Sequence, residues 1–132
     1  PSMESRVLDC LRSTETSPED VVFLAFDRTI AANLACSEPR APSIWLVDDP
    51  PRSDDERQAM LRDAGRASVS GLGFSTRHAS RELVTLAREN GLSVYVWTAN
   101  EQAEIEAMVS LGIDALITDY PDRARAVIED SS

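Results

Sequence analysis

Residues Leu92 to Pro121 read LSVYVWTANEQAEIEAMVSLGIDALITDYP. Leu92–Trp97 is an apolar, β-branched run of strand length. From Asn100 or Glu101 onward, Ile105, Met108, Val109 and Leu111 recur at helical spacing, and Gly112 is placed to stop that helix. Ile113–Thr118 reads as a second strand. Pro121 then suits a first helical position, where its missing N–H costs nothing. The order is strand, helix, strand, helix, and in α/β folds chemistry gathers where such strands end. Trp97-Thr98 and Thr118-Asp119 are those ends.

Working back toward the N-terminus, the same alternation continues. Met3–Leu11 predicts a short amphipathic helix, with Val7, Leu8 and Leu11 on one side. Val21–Phe26 (VVFLAF) is a continuous apolar run, the pattern of a strand covered on both faces. Asp27 is placed to cap a helix reaching Ser37. Pro39 and Pro42 break the chain before a second strand, Ser43–Val47. The acidic loop DDPPRSDD leads into a helix from Asp54 to Ala64, with Gly65 as its C-terminal stop. Ala67–Leu72 reads as the third strand, with Gly71-Leu72-Gly73 as its tight exit. Ser80 caps a helix Arg81–Asn90 that Gly91 ends, and the final helix runs through Ala126 and Ile128 before the tail EDSS. Five strands alternating with helices predict a parallel sheet in one α/β domain over residues 1–132.

Composition narrows the function. Apolar residues make up 42% of 132, enough for one ordinary core but short of the roughly 250 residues of a closed eight-stranded barrel. Net charge is −10 and every cation is arginine, which disfavours nucleic acid and anionic membrane surfaces. No apolar run approaches the roughly 18 residues of a spanning helix, and PSMESRVLDC lacks signal-peptide shape. Cys10 and Cys36 have neither metal-ligand spacing nor disulfide density, and read as reduced thiols that fit a cytoplasmic setting.

VWTAN at Val96–Asn100, followed by GIDALITDYP at Gly112–Pro121, resembles the C-terminal signature of the glycerophosphodiester phosphodiesterase family. ASRELVTLARENGL before it, VVFLAFD at Val21–Asp27 and SIWLV at Ser43–Val47 are similar to that family's segments in order and spacing. Ala25 stands where the family usually has serine, and Ala99 where valine is common. The resemblance implies five β/α units forming the C-terminal portion of a TIM (β/α)8 barrel. An open doubly wound parallel sheet is the alternative. It further implies a parent enzyme that hydrolyses glycerophosphodiesters to glycerol phosphate and an alcohol, with Ca²⁺ or Mg²⁺ and two histidines. The family's His-Arg-Gly strand, Glu-x-Asp pair, His-Asp histidine and later glutamate have no counterpart in this sequence. The chain alone is therefore expected to hold no metal and to be inactive.

Trp97 and Phe26, each at the end of a strand, are the substrate-binding candidates. The resemblance puts an aromatic at the substrate mouth near Trp97, and packing of the barrel layer is the plain alternative for both. Asn100 suits a ligand contact or a cap before Glu101. Thr118 and Asp119 suit a role near the phosphate or the capping of the last helix. Asp114 reads as structural, Asp48-Asp49 as a solvated acidic loop more than a metal site, and the single histidine, His78, as a solvated loop residue. Glu101, Glu104 and Glu106 fit a solvated helix face. A second reading is a non-catalytic half-barrel that self-associates through open sheet edges, or binds a partner or small ligand.

Overall fold

A computed structural model describes residues 2–130. The elements are α1 (Met3–Ser13), a 3₁₀ turn (Pro18–Asp20), β1 (Phe23–Ala25), α2 (Arg28–Ser37), β2 (Ser43–Leu46), α3 (Asp54–Ala67), β3 (Gly71–Ser75), α4 (Arg81–Glu89), β4 (Ser93–Trp97), α5 (Gln102–Ser110), β5 (Ala115–Leu116) and α6 (Pro121–Asp130). The five strands are parallel and lie in the sheet in the order β1-β2-β3-β4-β5. This order decides against the doubly wound alternative. That sheet reverses its winding at a switch point and separates two strands that are neighbours in sequence. Here every strand lies beside its sequence neighbour, as in a barrel wound in one direction. Among the described residues no helix is long and apolar enough to cross a membrane.

The chain divides into two units, the first of Pro1–Leu46 and Pro51–Gly71. Its helices start where short polar side chains satisfy free N–H groups. Ser2 accepts from Ser5 N, Asp27 Oδ1 from Ile30 N at 3.1 Å, and Ser53 Oγ from Glu56 N at 3.2 Å. β1 pairs with β2 in the register Phe23↔Ser43, Leu24↔Ile44, Ala25↔Trp45. Phe23 packs with Leu8, Leu34 and Ala41 against the helices. Ser43, buried, donates its hydroxyl to Ala31 O at 2.8 Å and so fastens β2 to α2.

Three expectations fail between β1 and β3. β1 is shorter than Val21–Phe26, and it is covered on one face only: Val22, Leu24 and Phe26 are 42, 44 and 55% exposed, while Phe23 is buried. An apolar run looks the same whether one face or both are covered, and β1 lies at the sheet edge. α3 does not stop at Ala64. It passes through Gly65 to Ala67, and Ser68 takes the left-handed conformation, φ 56°, in place of the glycine. Burial of Ala64 and Ala67 outweighs the roughly 1 kcal/mol that an internal glycine costs. The third strand is consequently displaced to Gly71–Ser75, and Gly71-Leu72-Gly73 opens it where a strand exit was predicted.

The second unit holds Val47–Pro50 and Leu72–Ser132. Ser80 Oγ accepts from Leu83 N at 3.2 Å, and Leu83, Val84 and Ala87 are buried. Gly91 and Gly112 leave their helices with φ of 72° and 76°, where a Cβ is disfavoured. β4 alternates, with Val94 and Val96 buried and Tyr95 and Trp97 half-buried. β4 pairs with β5 through Tyr95↔Ala115 and Val96↔Leu116. β5 is only Ala115–Leu116, shorter than the predicted Ile113–Thr118, although Asp114 N and Ile117 N still donate to Val94 O and Val96 O. α6 buries Ala124 and Val127, leaves Ile128 49% exposed and extends to Asp130, so the end of the predicted tail lies outside the described residues.

Candidate functional site

Side chains at the C-terminal ends of parallel strands are where β/α folds carry function. At the end of β4, Trp97 is half-buried and its carbonyl accepts from Thr76 N at 2.7 Å, which ties the loop after β3 to this strand end. Ser75, the last residue of β3, has a buried hydroxyl oxygen with no hydrogen-bond partner among the described residues. Nothing in the sequence marked it, because a serine closing a strand is an ordinary surface feature. Phe26 follows β1 in the first unit and is 55% exposed.

Asn100 joins the loop after β4 to the loop after β5. Its Oδ1 accepts from Asp119 N at 2.9 Å and from Thr118 Oγ1 at 3.2 Å, and its Nδ2 donates to Asp119 Oδ2 at 2.9 Å. Its backbone N donates to Glu104 Oε1 at 3.1 Å, and its carbonyl accepts from Arg123. The helix cap foreseen for Asn100 is therefore absent. Glu101 occupies the N-cap of α5 without a side-chain cap bond. Asp119 likewise spends one carboxylate oxygen on Asn100, and it is Thr118 Oγ1 that accepts from Tyr120 N, at 3.0 Å. The Arg123 guanidinium lies over the Tyr120 ring, 4.4 Å from its centroid. These contacts hold two loops in one arrangement.

At the opposite end of the same strands Asp114 is structural. Its Oδ2 accepts from Val94 N at 2.8 Å, and Oδ1 pairs with Arg88 at 3.3 Å, while Arg88 also donates to Gly112 O. Burial, and then the Asp114 charge, push the Tyr95 phenol above its ordinary value. Asp48, Asp49 and His78 are exposed, as are the unpaired cysteines Cys10 and Cys36. Among the described residues no three His, Cys, Asp or Glu side chains gather where they could hold a metal ion. A divalent cation of the kind the resemblance implies does not fit these residues.

Comparison with known proteins agrees with this geometry. The model of the glycerophosphoryl diester phosphodiesterase family matches residues 2–123. This chain belongs to that family. It is 21% identical over 131 residues to the glycerophosphodiester phosphodiesterase of Bacillus subtilis strain 168, covering 92% of this chain and 43% of that protein. A solved structure from Silicibacter pomeroyi DSS-3, which carries the glycerophosphoryl diester phosphodiesterase name, is similar with TM-score 0.81 and 27% identity over 98% of this chain and 44% of that one. The Oleispira antarctica phosphodiesterase, solved with the product sn-glycerol-3-phosphate, shares the fold at TM-score 0.71 and 20% identity, over 96% of this chain and 50% of that one. The chain thus spans about half the length of its relatives and forms part of the family's barrel.

Within the family's pattern the two departures are small in this structure. Ala99 is fully buried, and its N–H donates to Ile117 O at 3.1 Å, so the strand-end geometry is kept with the smaller side chain. Ala25 is a half-buried residue of β1. The glycerophosphodiester phosphodiesterase signature at Val96–Asn100 and Gly112–Pro121 coincides with the Asn100 network.

Proposed function

We propose that this chain supplies part of the substrate mouth of a glycerophosphodiester phosphodiesterase whose proton-transferring and cation-holding groups lie in other segments of the barrel. The reading is carried by the family match over residues 2–123 together with coverage of about half the relatives' length. Hydrolysis adds water across one P–O ester bond and releases glycerol phosphate and an alcohol. That requires charge stabilisation at the phosphoryl oxygens and a proton for the leaving alkoxide. The chain's one histidine is exposed in the loop after β3, and this reading assigns the proton transfer to groups outside the segment.

Its contribution is to bind and orient. Trp97 offers an aromatic face to the glycerol or alcohol portion, and Asn100, bonded to Thr118 and Asp119, keeps that loop in register. Within the first unit, Phe26 after β1 is a separate exposed apolar candidate. We place the protein in the cytoplasm, a setting in which free thiols such as Cys10 and Cys36 persist. The test is an assay of the 132-residue chain with a model phosphodiester and Ca²⁺ or Mg²⁺. No turnover is expected, and metal-dependent turnover abolished by a chelator would refute the reading.

A further inference from the structure

We propose that the groove between α2 and α3 binds a small phosphate ion or phosphate monoester, held between the guanidinium groups of Arg28 and Arg66. The site lies in the helix layer of the first unit, and it does not depend on the catalytic reading.

The groove has a volume of about 240 Å³ and is lined by Arg28, Thr29, Ala32, Asp63, Arg66 and Ala67. Pockets for drug-sized molecules begin near about 300 Å³, so this one suits a small ion. Its lining sets two arginines against a single carboxylate, a local surplus of positive charge on a chain of net charge −10. Arg28 Nη1 pairs with Asp63 Oδ2 at 2.5 Å, and its guanidinium lies over the Trp45 ring, 5.8 Å from the centroid. These contacts engage one edge and orient the plane. The other N–H donors remain within reach of a ligand, since the Arg28 side chain is 48% exposed. Arg66 stands three residues beyond Asp63 on the same face of α3. It is exposed, and its guanidinium has no ion-pair or hydrogen-bond partner among the described residues. Thr29 adds a hydroxyl to the lining. The N-terminus of α2 plays no part, because Asp27 already caps it through Ile30 N.

A guanidinium presents a planar fork of donors that matches two oxygens of one anion. Two such forks and a hydroxyl call for more than two acceptor oxygens, in directions that a tetrahedral phosphoryl group offers and a carboxylate lacks. Near neutral pH a phosphate carries about −1.5 to −2 charges, enough to compete with Asp63 for Arg28. That competition keeps the affinity modest. The ion comes from solution and not from a membrane. With 23 acidic side chains against 13 basic ones the chain repels an extended anionic surface, whereas a small ion meets only the local pair of arginines.

The experiment titrates the 132-residue chain with inorganic phosphate by calorimetry, and separately with glycerol 3-phosphate, in chloride buffer at constant ionic strength. Saturable 1:1 binding with Kd of about 1 mM is expected for both. Arg66→Gln should weaken it about tenfold, and Arg66→Lys, which keeps the charge but loses the fork, by less. Asp63→Asn should tighten it about threefold without raising the denaturation midpoint, a combination that a purely structural role for Asp63 does not produce. Circular dichroism establishes that each variant is folded. The proposal falls if phosphate binds no better than chloride, if folded Arg66→Gln binds as the parent does, or if Asp63→Asn weakens binding. It also falls if the chain ignores the free ions but sediments with phosphatidic acid vesicles through the same arginines, which would assign the groove to a lipid surface.

Discussion

Asn100 shows how much one side chain can hold. Its three side-chain hydrogen bonds reach Thr118 and Asp119, eighteen and nineteen residues away. Asn100→Ala should cost about 1–2 kcal/mol, since each such bond contributes about 1 kcal/mol net and partly exposed partners recover water. Denaturant unfolding measures the loss. Amide exchange at Asp119 should accelerate more than exchange in α4, and equal acceleration everywhere would argue against a local clip. Tyr95 gives a pH prediction. Its folded-state pKa lies above the ordinary 10.0, from burial first and the Asp114 charge second. The folded chain therefore holds that proton more tightly than the unfolded chain. The associated stability is complete below the ordinary pKa and is lost as pH rises through the folded value. In a Tyr120→Phe variant, where Tyr95 is the only remaining tyrosine, tyrosinate absorbance should appear above pH 10.0. Asp114→Asn should lower that midpoint without restoring it fully. A midpoint at the ordinary value would remove the burial argument. The Asn100 role was hidden in the sequence because an asparagine before Glu101 is equally a cap, and its partners are distant in the chain.

At the scale of elements, local chemistry placed most helix starts, because a cap needs only a polar side chain and an N–H three residues on. Asp27, Ser53 and Ser80 act as such caps. The end of α3 was misplaced because glycine propensity lost to the burial of Ala64 and Ala67. That leaves Ser68 left-handed, a conformation costing roughly 1 kcal/mol for a residue with a Cβ. Ser68→Gly should raise stability by up to about 1 kcal/mol, read as a higher denaturation midpoint at unchanged slope. Gly112→Ala, at φ 76°, should lower it by about 1 kcal/mol. If the two substitutions shift stability in the same direction, the backbone argument is wrong. Strand ends were less legible, since β1 and β5 proved shorter than the apolar runs that announced them.

For the whole molecule, the chain spans about half its relatives' length, so turnover should depend on what completes the barrel. On the function proposed above, a hybrid with the part of the Silicibacter pomeroyi relative outside its aligned 44% is expected to show metal-dependent phosphodiesterase activity, measured with a model phosphodiester and a chelator control. In that form Trp97→Ala should raise KM roughly tenfold with kcat nearly unchanged, the pattern of lost uniform binding. A fall in kcat alone would assign Trp97 elsewhere. The α/β class and the family signature at Trp97–Pro121 were readable from the chain alone, because periodicity, caps and turn residues act over a few neighbours. So was the lack of a second histidine. Tertiary structure decided the sequential strand order, the open face of β1, the overrun of α3 and the Asn100 clip. Each depends on which distant surface covers a residue, and a linear pattern of apolar and polar side chains does not carry that information.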